Sequence, residues 1–152
     1  MPLSITAKNK VFISHSSRDR TFVVRIAEVL QQHRITYWYS GTDIVGAQQW
    51  HDEIGRALHR CNWFLLVLTP EAIRSEWVKR ELFFALNESR YRKRIVPLLC
   101  KRCKYSQLSW TLPALELVDF TAGFEAGCNQ LLRVWKVNYT SKATSPQSRK
   151  KK

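Results

Sequence analysis

The run WFLLVL at Trp63–Leu68 places the strongest constraint on the fold, because six consecutive apolar residues leave no polar face for solvent. A strand with one wet face would alternate apolar and polar residues, so this run indicates a strand buried on both faces, as in the middle of a parallel sheet. Thr69 and Pro70 follow directly, which is typical of a helix start with a threonine N-cap and a proline in the first turn. The sequence therefore predicts a central parallel strand that leads into a helix.

Four further strands and the helices between them can be predicted from the remaining apolar patterns. Strands are predicted at residues 11–14, 35–39, 94–99 and 115–120, and helices at 22–33, 48–60, 70–89 with a break at 74–75, and 124–135. Alternating strands and helices are typical of an α/β protein. We expect a flavodoxin-like three-layer fold, with a five-stranded parallel sheet of order 2-1-3-4-5 and helices on both faces.

Composition and charge leave several classes of function open. The 152 residues fit one domain, and we expect a lead-in at 1–9, the domain at 10–136 and a basic, disordered tail at 137–152. Net charge is +13, with seven basic residues and no acid at 90–104. Such a balance permits nucleic acid, an anionic nucleotide or an acidic protein surface as partner. No apolar run is long enough for a membrane span and no signal peptide is evident, so we expect a cytoplasmic protein without a membrane partner.

Two patterns that often mark reactive sites are weak in this chain. Cys100 and Cys103 form a C-x-x-C pair, but a zinc site needs a second pair, and Cys61 and Cys128 lack that spacing. We therefore predict reduced thiols and no metal site. No G-x-G-x-x-G or Walker loop is present, so dinucleotide binding through a glycine loop is not supported. His15 follows the first strand, where we expect it to line a cleft.

Glu81 is the carboxylate with the most plausible catalytic setting. It shares one helix face with Trp77 and Phe84, at spacings of four and three residues. Ligands of open α/β sheets bind outside the carboxyl ends of the strands, and this helix begins there. Spacing alone also fits a solvated acid that pairs with Lys79 or Arg80, which is the commoner situation for a charged helix residue.

Four stretches then make a family resemblance visible, namely VFISHSS at 11–17, WYSGTDIVGAQQW at 38–50, NWFLLVLTP at 62–70 and SEWVKREL at 75–82. Together they resemble the Toll/interleukin-1 receptor (TIR) domain family of the bacterial kind over about residues 10–136. The resemblance implies a flavodoxin-like fold, assembly through the loop after the second strand, and in many members cleavage of NAD+ at the nicotinamide–ribose bond. Two departures are Ser16-Ser17, where some NAD+-cleaving relatives have arginines, and Val45-Gly46, where Pro-Gly is common.

Carried over by position, the resemblance makes Glu81 the catalytic residue. The residues expected to bind substrate are Trp77, Ser75, Ser14, His15, Ser16, Trp38, Tyr39 and Asp43. NAD+ is then the substrate and no cofactor is expected. The expected partners are other TIR domains, through residues 40–46, and no specific nucleic acid.

Three functions remain open from the sequence. The leading hypothesis is a NAD+ glycohydrolase (a NAD+ nucleosidase) that releases nicotinamide and ADP-ribose or a cyclic variant, in bacterial defence signalling. The alternative is a non-catalytic TIR adaptor that acts by self-association. A basic nucleic-acid-binding domain rests on charge alone.

Overall fold

The computed structural model describes residues 9–40 and 47–141, with the backbone alone for 47–50. Five parallel strands form one sheet in the order β2-β1-β3-β4-β5, which confirms the predicted topology. The strands are β1 at Lys10–Ser14, β2 at Thr36–Trp38, β3 at Trp63–Leu68, β4 at Ile95–Leu99 and β5 at Val118–Asp119.

Helices connect the strands, and among the described residues polar side chains cap two of them. The α-helices are α1 at Arg20–Gln32, α2 at Ala47–Arg60, α3 at Pro70–Ile73, α4 at Glu76–Leu86 and α5 at Phe124–Leu132. Thr69 Oγ1 accepts a hydrogen bond from the Ala72 N–H at 3.1 Å, and Ser75 Oγ accepts one from the Val78 N–H at 3.2 Å. The predicted Thr69 cap is thus confirmed. None of the helices in the described ranges is long and apolar enough to cross a membrane.

The core lies on both faces of the sheet, as the apolar run of β3 requires. Leu65 and Val67 of β3 pack in a first cluster with α1 and α5, while Phe64, Leu66 and Leu68 pack in a second cluster with α2 and α4. Strand side chains alternate between faces, so a run without polar residues serves both clusters. The three-layer α/β arrangement is confirmed.

The fifth strand is shorter than predicted, since β5 covers only Val118–Asp119 instead of residues 115–120. Pro97 explains part of the difference. Leu99 C=O accepts from the Phe120 N–H at 2.9 Å, and alternate residues of a strand face the same neighbour, so Pro97 also faces β5. Proline has no N–H to donate, and the ladder between β4 and β5 is limited to Leu98 and Leu99.

Other differences concern element ends. The second strand is shorter by one residue at each end than predicted. The helix predicted at 70–89 ends at Leu86, the last residue of α4. Ser89–Tyr91 then forms a separate 3-10 turn. The last helix tightens into a 3-10 turn at Arg133–Trp135 before Lys136 adopts a left-handed conformation with φ 60°. Between β4 and β5, Tyr105–Gln107 forms a further 3-10 turn.

Two helical glycines offer a matched test of the packing. A Cβ at Gly127 of α5 would lie 2.2 Å from the Phe120 ring, which is buried between Phe22 and Phe124. We therefore expect Gly127→Ala to destabilise the domain by about 1–3 kcal/mol. A Cβ at Gly55 of α2 meets nothing within 4 Å, so Gly55→Ala should stabilise by about 0.5–1 kcal/mol. Urea denaturation of both variants measures the two effects, and equal signs would contradict this account of Gly127.

Candidate functional site

A buried hydrogen bond joins the carboxyl end of β1 to α4. Ser14 Oγ donates to Glu81 Oε1 at 2.6 Å, and the two residues are 0% and 7% exposed. The alternative in which Glu81 is a solvated acid paired with a neighbouring cation is therefore wrong. Lys79 pairs instead with Glu76 at 3.9 Å, and the Arg80 guanidinium lies 5.4 Å from the Trp77 ring centroid.

Burial controls the protonation of Glu81. Removal from water raises the pKa of this carboxyl from 4.5 to about 7, against the smaller lowering effect of the Ser14 hydrogen bond. Near neutral pH the group is thus divided between its protonated and charged forms. A carboxyl with such a pKa can accept or release a proton under physiological conditions, which is a property of catalytic acids and bases.

Among the residues whose side chains are described, two tryptophans pack on the Glu81 side of the sheet. Trp38, at the end of β2, stacks on Phe12 with ring centroids 5.2 Å apart. Trp77 is half-buried on α4 and its ring lies 6.3 Å from that of His51. Both indoles pack against the second core cluster, to which the α4 residues beside Glu81 also belong. The structure therefore brings Ser14, Trp38, Trp77 and Glu81 to one side.

His15 and Tyr39 lie on the opposite side. Their rings meet edge to face at 6.0 Å, and Tyr39 packs against the first core cluster. The reason is the alternation of side chains: His15 follows Ser14, and Tyr39 follows Trp38. His15 Nδ1 donates to the Ser16 carbonyl at 2.8 Å, and burial lowers the pKa of the ring. The predicted substrate-binding residues are thus divided between two faces.

The remaining predicted residues have local structural roles or lie outside the described chain. Ser16 Oγ accepts from the Arg18 N–H at 3.2 Å and caps the 3-10 turn Ser17–Asp19, while Ser75 caps α4. Asp43 lies within residues 41–46, outside the described residues, as does most of the predicted assembly loop 40–46.

Sequence reasoning missed one polar contact beside the site. Thr69 Oγ1 donates to Asp19 Oδ2 at 2.6 Å, and both residues are buried. The bond ties the loop after β1 to the start of α3, directly after β3. The signal was present, because polar residues that follow adjacent parallel strands meet at one edge of the sheet.

The C-x-x-C pair is not part of a larger group of potential metal ligands among the described residues. Cys100 and Cys103 are free thiols, and burial, with a smaller contribution from the Asp19 charge, raises the pKa of both. Residues 9–40 and 47–141 contain no group of three or more histidine, cysteine or acidic side chains placed to hold a metal ion. These thiols therefore resist ionisation and lack a third ligand within the described ranges.

Comparisons with known proteins identify the family of this chain and several relatives. A family model described as a TIR domain matches residues 11–132. The 2′ cyclic ADP-D-ribose synthase AbTIR of Acinetobacter baumannii is 29% identical over 103 residues, which cover 66% of this chain and 38% of that protein. The 2′ cyclic ADP-D-ribose synthase BtTIR of Bacteroides thetaiotaomicron is 27% identical over 78 residues, 51% of this chain and 27% of that protein. The matches span less than half the length of either relative.

Solved structures share the fold at low sequence identity. A TIR domain of the Toll-related receptor TRR-2 from Hydra magnipapillata superposes with a TM-score of 0.61 at 18% identity, covering 82% of this chain and 88% of that chain. A metazoan TIR-STING receptor from C. gigas, solved with 2′,3′-cGAMP, gives a TM-score of 0.67 at 20% identity over 84% of this chain and 39% of that chain. At such identities the likeness concerns the architecture.

Proposed function

The chain belongs to the TIR domain family, and on that premise we propose that it is a NAD+ glycohydrolase with Glu81 as its catalytic residue. The observation that supports this proposal is the buried Glu81 carboxyl. Its hydrogen-bond partner is Ser14, and it has no basic partner among the described residues. A half-ionised buried carboxylate costs folding free energy, because burial disfavours its charged form. A domain that acts only as an adaptor would gain nothing from a buried carboxyl that lowers its stability.

The chemistry of NAD+ suits a single carboxylate. Nicotinamide is cationic in NAD+ and leaves as a neutral molecule with the bonding electrons, so no general acid is needed, unlike in ordinary glycosides. Positive charge develops at C1′ of the ribose, and the Glu81 carboxylate stabilises it in a site shielded from water. The indoles of Trp38 and Trp77, on the same side as Glu81, supply flat apolar surfaces for the nicotinamide or adenine ring.

The second step decides the product. Water that adds to C1′ and loses a proton gives ADP-ribose, whereas a ribose hydroxyl of the same molecule gives a cyclic product. Glu81 is poised to take the proton in either case, because its pKa lies near 7. The two bacterial relatives are named as 2′ cyclic ADP-D-ribose synthases, which favours the cyclic product for this chain.

The test is incubation of the concentrated protein with NAD+, with chromatography for nicotinamide and mass spectrometry for the second product. Linear ADP-ribose is heavier than the cyclic form by one water molecule, so the spectrum distinguishes them. We expect nicotinamide release from the wild type. A folded protein that releases none at any concentration would support the adaptor function instead.

Concentration dependence tests whether the domains assemble through residues 40–46, as the family resemblance implies. Self-contacts of the head-to-tail kind build open filaments or rings rather than a closed pair. If a neighbouring copy completes the site, the rate per molecule should rise with protein concentration over a wide dilution series, with light scattering recorded in parallel. Asp43→Ala should weaken this dependence, with Glu28→Ala on the exposed surface of α1 as the control. A constant rate from a monomer would contradict assembly through the loop.

A further inference from the structure

We propose that Ser14 is a positioning residue for Glu81: its buried hydroxyl holds Oε1 of the carboxylate, favours the charged form and leaves Oε2 for the substrate. This inference rests on the proposed function and corrects the expected role of Ser14 in substrate binding. A side chain that is 0% exposed and already bonded to Glu81 has no surface to offer a nucleotide.

The hydroxyl lies on a strand inside the sheet. Strand β1 lies between β2 and β3, and Ser14 is in register with Leu66 of β3. Glu81 lies on α4, which packs over the sheet from one side. The strand therefore sets the position of the donor, and the carboxylate on the helix is oriented by it. An O···O distance of 2.6 Å is typical of a hydroxyl that donates to a charged carboxylate.

The two oxygens of Glu81 have different surroundings. Oε1 accepts from Ser14, whereas Oε2 has no hydrogen-bond partner in the described parts of the chain. Because Oε1 is held by Ser14, the carboxylate has a fixed orientation, and Oε2 is available to face the ribose.

Other ionisable groups near this end of the sheet do not replace Ser14. His51 of α2 contacts Trp77, His15 contacts Tyr39, and Asp19 accepts from Thr69. On α4 itself, Lys79 pairs with Glu76 and Arg80 lies over Trp77. Within residues 9–40 and 51–141, Ser14 is therefore the polar side chain that stabilises the charged form of Glu81.

The test measures the titration of the Glu81 carboxyl directly, by carbon-detected NMR on wild type, Ser14→Ala and Ser14→Thr. Loss of a hydrogen bond to a charged group should raise the midpoint by about one to two pH units in Ser14→Ala. Ser14→Thr keeps the hydroxyl and should restore the wild-type midpoint. Ser14→Cys, a close isostere with a weak donor, serves as the second variant if Ser14→Ala does not fold, and its midpoint should also rise.

Kinetics provide the second readout. With NAD+ as substrate, Ser14→Ala should lower kcat by about tenfold per unit of midpoint shift at neutral pH, with little change in KM, and approach the wild type as pH rises. An unchanged Glu81 midpoint in Ser14→Ala or Ser14→Cys would overturn the positioning role. A shifted midpoint in a protein that never cleaves NAD+ would uphold the contact and refute only the enzymatic function.

Discussion

Glu81→Ala is expected to lower nicotinamide release by on the order of 100-fold or more, because a single electrostatic stabiliser of a developing charge has an effect of that size. The domain should remain folded. Glu81 is buried at a site that disfavours its charged form, so its removal relieves a desolvation cost and offsets the small void left by truncation. Initial rates by chromatography, with circular dichroism of the same samples, measure both effects.

Two further variants make this prediction sharper. Glu81→Gln keeps the shape and can still accept from Ser14, so an equal loss of rate would assign the effect to charge. Glu76→Gln removes an exposed acid of the same helix, one that pairs with Lys79, and should leave the rate unchanged. A Glu81→Ala rate within tenfold of the wild type would remove Glu81 from the catalytic role.

The second large effect is a pH dependence with opposite signs for rate and stability. The proposed reaction uses the charged carboxylate, so the rate should rise with pH through about 7, the raised pKa of Glu81. Stability should fall in the same window. The pKa of the Glu81 carboxyl is 4.5 in the unfolded chain and about 7 in the folded protein, so the folded protein binds the proton more tightly. Protonation of Glu81 therefore contributes fully to stability below pH 4.5, and this contribution is lost as the pH rises to about 7.

The size of the stability change follows from the two pKa values. Their separation corresponds to about 3 kcal/mol of unfolding free energy between pH 4.5 and pH 7. Urea denaturation at several pH values, for wild type and Glu81→Gln, isolates the contribution of this one group from all others. The variant should gain stability relative to the wild type as pH rises. A difference between the two proteins that stays constant with pH would show that Glu81 titrates normally.

The fold could be predicted from the sequence because the patterns that define it are local. The apolar run of Trp63–Leu68, the Thr69 cap and the helical spacing of each amphipathic segment act within a few residues. The length of β5 could not be predicted in this way. The length of β5 depends on which backbone groups of β4 face it. Pro97 of β4 faces β5 and has no N–H to donate there.

The site was predicted in part. Glu81 and Trp77 could be placed near the carboxyl edge, because helix spacing and the position of that edge are properties of the chain and the topology. The burial of Glu81 and its bond to Ser14 could not be predicted, since they depend on how closely α4 packs on β1. The division of His15 and Tyr39 from Ser14 and Trp38 follows from strand alternation, yet the family resemblance placed all four in one pocket.

The distance of 67 positions along the sequence between Ser14 and Glu81 has a consequence for biosynthesis. A ribosome makes Ser14 before Glu81, so its hydroxyl has no carboxylate to hold until β3, α3 and α4 have emerged and packed on the sheet. Long-range contacts of this kind form only once the intervening chain has collapsed around them. A nascent polypeptide that still lacks α4 therefore has no assembled Ser14–Glu81 pair, and under the proposed function only folded domains would cleave NAD+.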